Sequence, residues 1–381
     1  MKPVMRERIM SPEETSGVTG RTARNPSFEL LRVVAMLMIV TLHMNIGGMG
    51  NILEEVIPCS ANFFLAWGLE IYCLVAVNCF VLITGYFMCE QKFKTKRLLL
   101  LWLQIVFYTI AIYLVFVGMG KTTFQVSALI KSFLPISLKT RWFVTVYFLL
   151  CCVAPVLNIT IAAISKAQHR NCLAALLLIF SFWATAAGVS DFTDVSMGYS
   201  LPWFMILYLI AGYIKKYRDV SKKASFWLGL YLGTGLLISI AKAGVSALTQ
   251  RMFGQIRFAF PFFIYNSPLI LLESIFLFMF FANLTIKNKR LCRIICALAP
   301  LSLGVLIIHA NEYVRTIWVP LLHPATYANS PWMIPYVFFC TFCLYFFCVA
   351  IDAVRQQLFK PLQRMTWPDR LLEKAEKLLD R

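Results

Sequence analysis

Ten long apolar runs, separated by short polar segments, divide the chain at roughly 28–47, 62–88, 97–118, 142–163, 171–188, 200–214, 225–248, 258–284, 294–310 and 332–351. Most are long enough for a helix to cross the hydrocarbon of a bilayer. The sixth is short, and the ninth merges into a proline-bearing segment. The pattern predicts an all-α fold, a polytopic membrane helix bundle of about ten transmembrane helices. Asn25-Pro26 supplies an N-cap and a first-turn proline ahead of the first run.

The flanks read differently. Residues 1–24 are polar and mixed in charge and predict a disordered tail. The first apolar run is too long for a signal peptide, and no small-residue cleavage site follows it. Residues 25–356 form the transmembrane domain. Residues 357–381 predict an amphipathic tail helix, with Leu371, Leu372, Ala375, Leu378 and Leu379 on one face. A second surface helix is expected within 122–137, carrying Phe124, Leu129, Ile130, Phe133 and Leu134. There is no internal repeat, which disfavours transporters built from duplicated halves.

Composition supports the membrane reading. Hydrophobic residues make up 60% of the chain and charged ones 14%, and the mean hydropathy is +0.72. A soluble domain could not solvate that much apolar surface. The net charge of +18 sits between apolar runs rather than on a soluble basic face, so no nucleic-acid partner is implied. If the N-terminus lies inside, 27 of the 36 Lys and Arg fall on inner segments and 7 on outer ones. That bias predicts both termini in the cytoplasm and an even number of spans. Most of the twelve cysteines lie within apolar runs and read as buried free thiols. Cys292 and Cys296 lie one turn apart with no further ligand nearby, so no metal site is expected.

The first span carries the candidate chemistry. It holds Glu29, Arg32 and His43, and ionisable groups inside a membrane point to function. Eleven helical residues bring His43 within about 20° of Arg32, roughly 16 Å further along the axis. From the assigned orientation, His43, His309 and Glu70 all reach the outer half of the membrane, while Arg32 stays near the cytoplasmic entrance. A histidine can serve as general base on a hydroxyl or itself accept an acyl group. Glu70 or Glu312 can orient its ring. Arg32, with Lys94 and Arg97, can hold an anionic, phosphate-bearing donor.

Plainer roles are open for each group. His43 and His309 can hydrogen-bond across the bundle. Arg32 can snorkel to the headgroups, and Lys92, Lys94, Lys96 and Arg97 can act only as topology determinants. Lys242 is expected to snorkel outward, and Glu273 to need an unidentified partner. His169 and His323 are expected in solvated loops.

The spacing of Arg32 and His43 resembles the signature of the integral-membrane acyltransferase family 3. Four further stretches resemble that family: residues 77–87 (VNCFVLITGYF), Arg141-Trp142-Phe143, Asn266-Ser267-Pro268 in the eighth span, and residues 303–309 (LGVLIIH). The resemblance covers residues 25–351 and implies a ten-helix enzyme. Such an enzyme moves an acyl group, commonly acetyl, from cytoplasmic acyl-CoA to a hydroxyl of an extracytoplasmic glycan of the cell envelope. It implies His43 as the catalytic residue, Arg32 as its partner near the CoA path, and Lys94 and Arg97 at the positions of the family's paired arginines. Lysine at the first keeps the charge and loses the bidentate fork. His309 and Glu70 are then candidates for the acceptor side. The expected partners are acyl-CoA, a polysaccharide or other glycan, and the lipid bilayer of a bacterial plasma membrane; no bound cofactor is implied. A secondary transporter or glycan flippase would also carry midplane His, Arg and Glu.

Overall fold

The computed structural model describes residues 24–92, 94–136, 142–187, 196–218, 222–256 and 263–364. The tail at 1–23, Arg141 and the expected helix around 371–379 lie outside these residues.

All regular structure among the described residues is helical. In chain order the α-helices are α1 (Pro26–Asn45), α2 (Ile52–Glu55), α3 (Ala61–Leu74), α4 (Ala76–Met88), α5 (Thr95–Gly118), α6 (Val126–Ser132), α7 (Trp142–Ala163) and α8 (Lys166–Leu177). There follow α9 (Ala184–Ala187), α10 (Leu201–Tyr217), α11 (Ala224–Phe253), α12 (Pro268–Asn283), α13 (Lys289–Leu298), α14 (Ser302–His309), α15 (Glu312–Leu322) and α16 (Met333–Arg364). A helix satisfies its own backbone groups, as a segment in hydrocarbon must. Polar caps mark the starts: Asn25 Oδ1 accepts from Ser27 N at 3.0 Å, and Ser165 and Gln168 form a capping box.

Seven helical stretches are individually long and apolar enough to cross a membrane: α1, α3–α4, α5, α7, α11, α13–α14 and α16. The other three expected spans are less regular. The fifth is α8 and α9 joined by a π-helix over Leu178–Trp183. The sixth is the 17-residue α10. The eighth is cut short, because Asn266-Ser267-Pro268 opens α12 instead of lying inside it, with Pro268 in the first turn. A proline there lacks only an N–H that has no helical partner anyway. Among its described residues, the surface segment at 122–137 contributes a helix at Val126–Ser132. The Tyr113 hydroxyl accepts from Gln125 N at 2.7 Å and ties it to α5.

Helix α1 is the axis of the bundle, touching α3, α4, α12, α13, α14 and α16. The outward faces of α5, α7, α11 and α16 expose apolar side chains such as Val115, Ile159, Leu237 and Phe347. So much apolar surface on the rim suits lipid, not water. Helix α14 lies close to α16 because residue 304 is glycine: a Cβ there would fall 2.1 Å from Asp352 Cγ. Asp352 is fully buried, accepts from the Tyr108 hydroxyl at 2.5 Å and pairs with Arg355 at 2.6 Å.

Candidate functional site

The last turn of α1 brings His43 against the last turn of α14. His43 Nδ1 lies 2.8 Å from His309 Nε2, and His309 Nδ1 lies 2.6 Å from the Val305 carbonyl. These distances define the proton positions for a neutral pair. A carbonyl only accepts, so His309 Nδ1 carries a proton and its Nε2 accepts one from His43 Nδ1. His43 Nε2 is then the nitrogen with a free lone pair. The Trp318 indole donates to the His309 carbonyl at 2.9 Å, and His309 is completely buried. His309 therefore fixes the tautomer and orientation of His43.

His43 lines a cavity of about 310 Å³ together with Glu70, Trp142, Tyr199, Tyr265 and Arg315. Asn45, two residues beyond His43, donates to Glu70 Oε2 at 3.1 Å and to the Ala66 carbonyl at 3.3 Å. This holds α3 against α1. Three rings form an aromatic wall: Trp142 and Tyr199 have centroids 4.4 Å apart, and Tyr199 and Tyr265 5.0 Å. Gly198 makes the wall possible. Its φ is +92°, and a Cβ there would meet Tyr265 Cβ at 2.6 Å. Buried Asn78 holds the Tyr265 carbonyl at 2.9 Å and accepts from Trp203 Nε1 at 3.1 Å. Asn266 donates to the Phe180 carbonyl at 2.9 Å and accepts at its own carbonyl from Ser181 Oγ at 2.6 Å.

A second cavity, of about 610 Å³, opens at the other end of α1. Arg24, Arg32, Lys92, Lys94 and Arg97 line it, with Glu29 as its acid. Arg32 pairs with Glu29 at 2.9 Å, and Arg97 donates to Gln91 Oε1 at 2.7 Å. Asn158 on α7 donates to the Met88 carbonyl at 3.0 Å and accepts from the Tyr208 hydroxyl at 2.7 Å. It pins the end of α4 from which the basic loop departs. The two cavities approach each other closely. Phe143 lines the first and Tyr147 the second, stacked at 5.8 Å. Leu306 and Leu303 divide in the same way, about one helical turn apart.

The structure gathers most of these residues at two places. His43, His309 and Glu70 meet at one end of α1, and Arg32, Lys94 and Arg97 at the other. Several expectations are corrected. Glu312 is exposed and does not line the cavity, because it occupies the first turn of α15, where its carboxylate faces outward. His309, not a carboxylate, orients the His43 ring, and it sits behind His43 instead of lining the cavity with it. Arg32 pairs with Glu29 on a cavity wall. Lys242 does not snorkel; it is 5% exposed, with Nζ 3.8 Å from the Trp67 ring centroid and 4.9 Å from that of Phe263. His169 is buried within α8, its Nε2 3.0 Å from the Leu209 carbonyl, whereas His323 is exposed. Glu273 is fully buried and has no hydrogen-bond partner among the described residues.

Asn45 and Arg315 were not anticipated, nor was Arg24 at the basic cavity. Asn45 lies two residues past His43 on the same helix. Arg315 lies six past His309, the one basic residue of its segment.

Neither the curated proteins nor the solved structures give a significant match. Residues 25–353, nearly the whole chain, match the acyltransferase domain. The chain with its paired histidines and basic cavity belongs to acyltransferase family 3.

Proposed function

We propose that this membrane protein is an O-acyltransferase that moves an acyl group, acetyl first among candidates, from acyl-CoA to a hydroxyl of a cell-envelope glycan. The N-terminal end of α1 would face the cytoplasm, in keeping with the Lys and Arg bias of the loops, and the bundle would cross the bacterial plasma membrane ten times. The basic cavity suits the phosphates of CoA, with Arg32 braced by Glu29 and with Lys94 and Arg97 at the mouth. The thioester would extend along α1 toward His43. The aromatic cavity would take the acceptor sugar.

In the transfer step, His43 Nε2 takes the proton of the acceptor hydroxyl while its oxygen attacks the thioester carbon. The carbon–sulfur bond then breaks, and the proton returns to the departing CoA thiolate. The products are an O-acyl ester and CoA thiol, with no other reactant. Reaction at His43 by a direct attack needs no acyl-histidine, whereas acylation of Nε2 would split the same chemistry into two steps.

The observation that carries this reading is the His43–His309 pair, which leaves one imidazole nitrogen free beside a cavity. Such a relay is what a general base requires and what a passive substrate route does not. Family membership counts against the transporter or flippase alternative. The test compares O-acetyl content of envelope glycans between a deletion strain and its parent. Loss in the deletion strain and recovery on complementation are expected. Unchanged acetyl content, together with no label transfer from acetyl-CoA in isolated membranes, would overturn the reading.

A further inference from the structure

Arg315 has no role in the reading so far, yet it is the cation of the acceptor cavity. It projects from α15 into the space lined by His43, Glu70 and the aromatic wall. Its Nε is buried without a hydrogen-bond partner among the described residues. It makes no ion pair with any described residue. The cavity's one carboxylate, Glu70, accepts a hydrogen bond from Asn45 and makes no ion pair with Arg315. In the basic cavity, by contrast, Arg32 has Glu29. A guanidinium is permanently charged and offers a planar fork of donors matched to carboxylate or phosphate oxygens. An arginine on a cavity wall with no counter-ion among the described residues can pair with an anionic group of a ligand.

We infer that the acceptor is an acidic sugar, whose carboxylate or phosphate pairs with Arg315 while its ring lies on Trp142, Tyr199 and Tyr265. The inference rests on the assignment of this cavity to the acceptor. The volume of about 310 Å³ lies at the small end of ligand sites and suits one glycosyl unit better than a longer segment. The chemistry of the step points the same way. His43 gains positive charge as it takes the hydroxyl proton, and an unpaired cation lining the same cavity opposes that charge. An acidic acceptor cancels the cation on binding. A neutral sugar leaves it in place. Arg315 therefore selects the acceptor twice, through direct pairing and through the charge felt at His43.

The test uses membranes holding the full-length protein, labelled acetyl-CoA, and three acceptors: a methyl glucuronide, glucose 6-phosphate and a methyl glucoside. The wild type is expected to acetylate at least one acidic sugar faster than the neutral one, and which acid leads distinguishes carboxylate from phosphate. Arg315→Gln should slow transfer to the preferred acid roughly thirtyfold, the worth of one hydrogen-bonded charge pair. The same change should raise transfer to the glucoside, because the unpaired charge is gone. Arg315→Lys should retain part of the preference, and protein levels by immunoblot separate these effects from misfolding. Equal rates on acidic and neutral sugars in the wild type, or a parallel fall on both in Arg315→Gln, would overturn the inference while leaving acyl transfer intact. If only envelope glycan takes up label, mass spectrometry of the modified unit decides: a neutral sugar without phosphate rejects it. No transfer to any acceptor by the wild type would reject the acyltransferase assignment, and this inference with it.

Discussion

Replacing His309 by alanine separates orientation of the base from the base itself. In the wild type, the Val305 carbonyl holds the His309 proton on Nδ1, and His309 Nε2 holds the His43 proton on Nδ1. Without the second ring, His43 can place its proton on either nitrogen, and the fraction with the proton on Nε2 presents no lone pair there. The larger effect comes as His43 gains charge, when it loses a hydrogen bond from a forming cation. Such bonds contribute about 1.5–3 kcal/mol, or roughly 10- to 150-fold in rate. Together these place His309→Ala about a hundredfold below wild type in acyl transfer. His309→Gln offers an acceptor oxygen at a similar reach and should recover part of that loss. The assay is initial-rate transfer from labelled acetyl-CoA in membranes, normalised to protein that elutes as a single species in detergent. Wild-type rates in His309→Ala would refute the orientation argument, and so would equal, complete loss in both variants with folded protein.

Three further outcomes follow from the geometry. Arg32→Ala should raise the apparent KM for acetyl-CoA about tenfold, the loss of one charge-assisted contact, with Arg32→Lys intermediate; an unchanged KM would remove Arg32 from the donor site. A cysteine replacing Lys94, with the exposed native thiols Cys152, Cys172 and Cys343 changed to serine, should react with an impermeant maleimide only in inverted vesicles; labelling of intact cells would reverse the proposed orientation. Asp352→Ala leaves buried Arg355 unpaired and should destabilise the protein by about 3–5 kcal/mol, read as a lower melting temperature in detergent; an unchanged transition would show that the cluster contributes nothing to the α14–α16 contact.

Much of the architecture was legible because a bilayer restricts a chain to a narrow set of solutions. The fourth run, 142–163, coincides with the bounds of α7, since nothing but hydrophobic length is needed to place such a helix. The eighth run predicts more helix than forms, because apolar residues ahead of Pro268 continue the pattern, while in space Asn266 and Tyr265 serve the loop and the cavity wall. Glu29, Arg32 and His43 could be placed on one helix face from the periodicity of α1. Periodicity does not give partners between helices. That His309, not Glu70 or Glu312, meets His43 depends on how α14 crosses α1, which no local pattern encodes. Lys242 shows the same limit: snorkelling is the default for a lysine near a span's end, and Trp67 on another helix supplies an aromatic face instead. No local pattern around Arg315 marks it; only the packing of α15 brings it to the cavity that His43 lines.

In the proposed reaction, His43 Nε2 is the base of acyl transfer. The most direct measurement is the rate of CoA thiol release and label transfer from acetyl-CoA, for wild type and His43→Ala in the same membranes at matched protein level. The account predicts that both signals vanish together in the variant while the bundle stays folded. Transfer at the wild-type rate without the imidazole would contradict it.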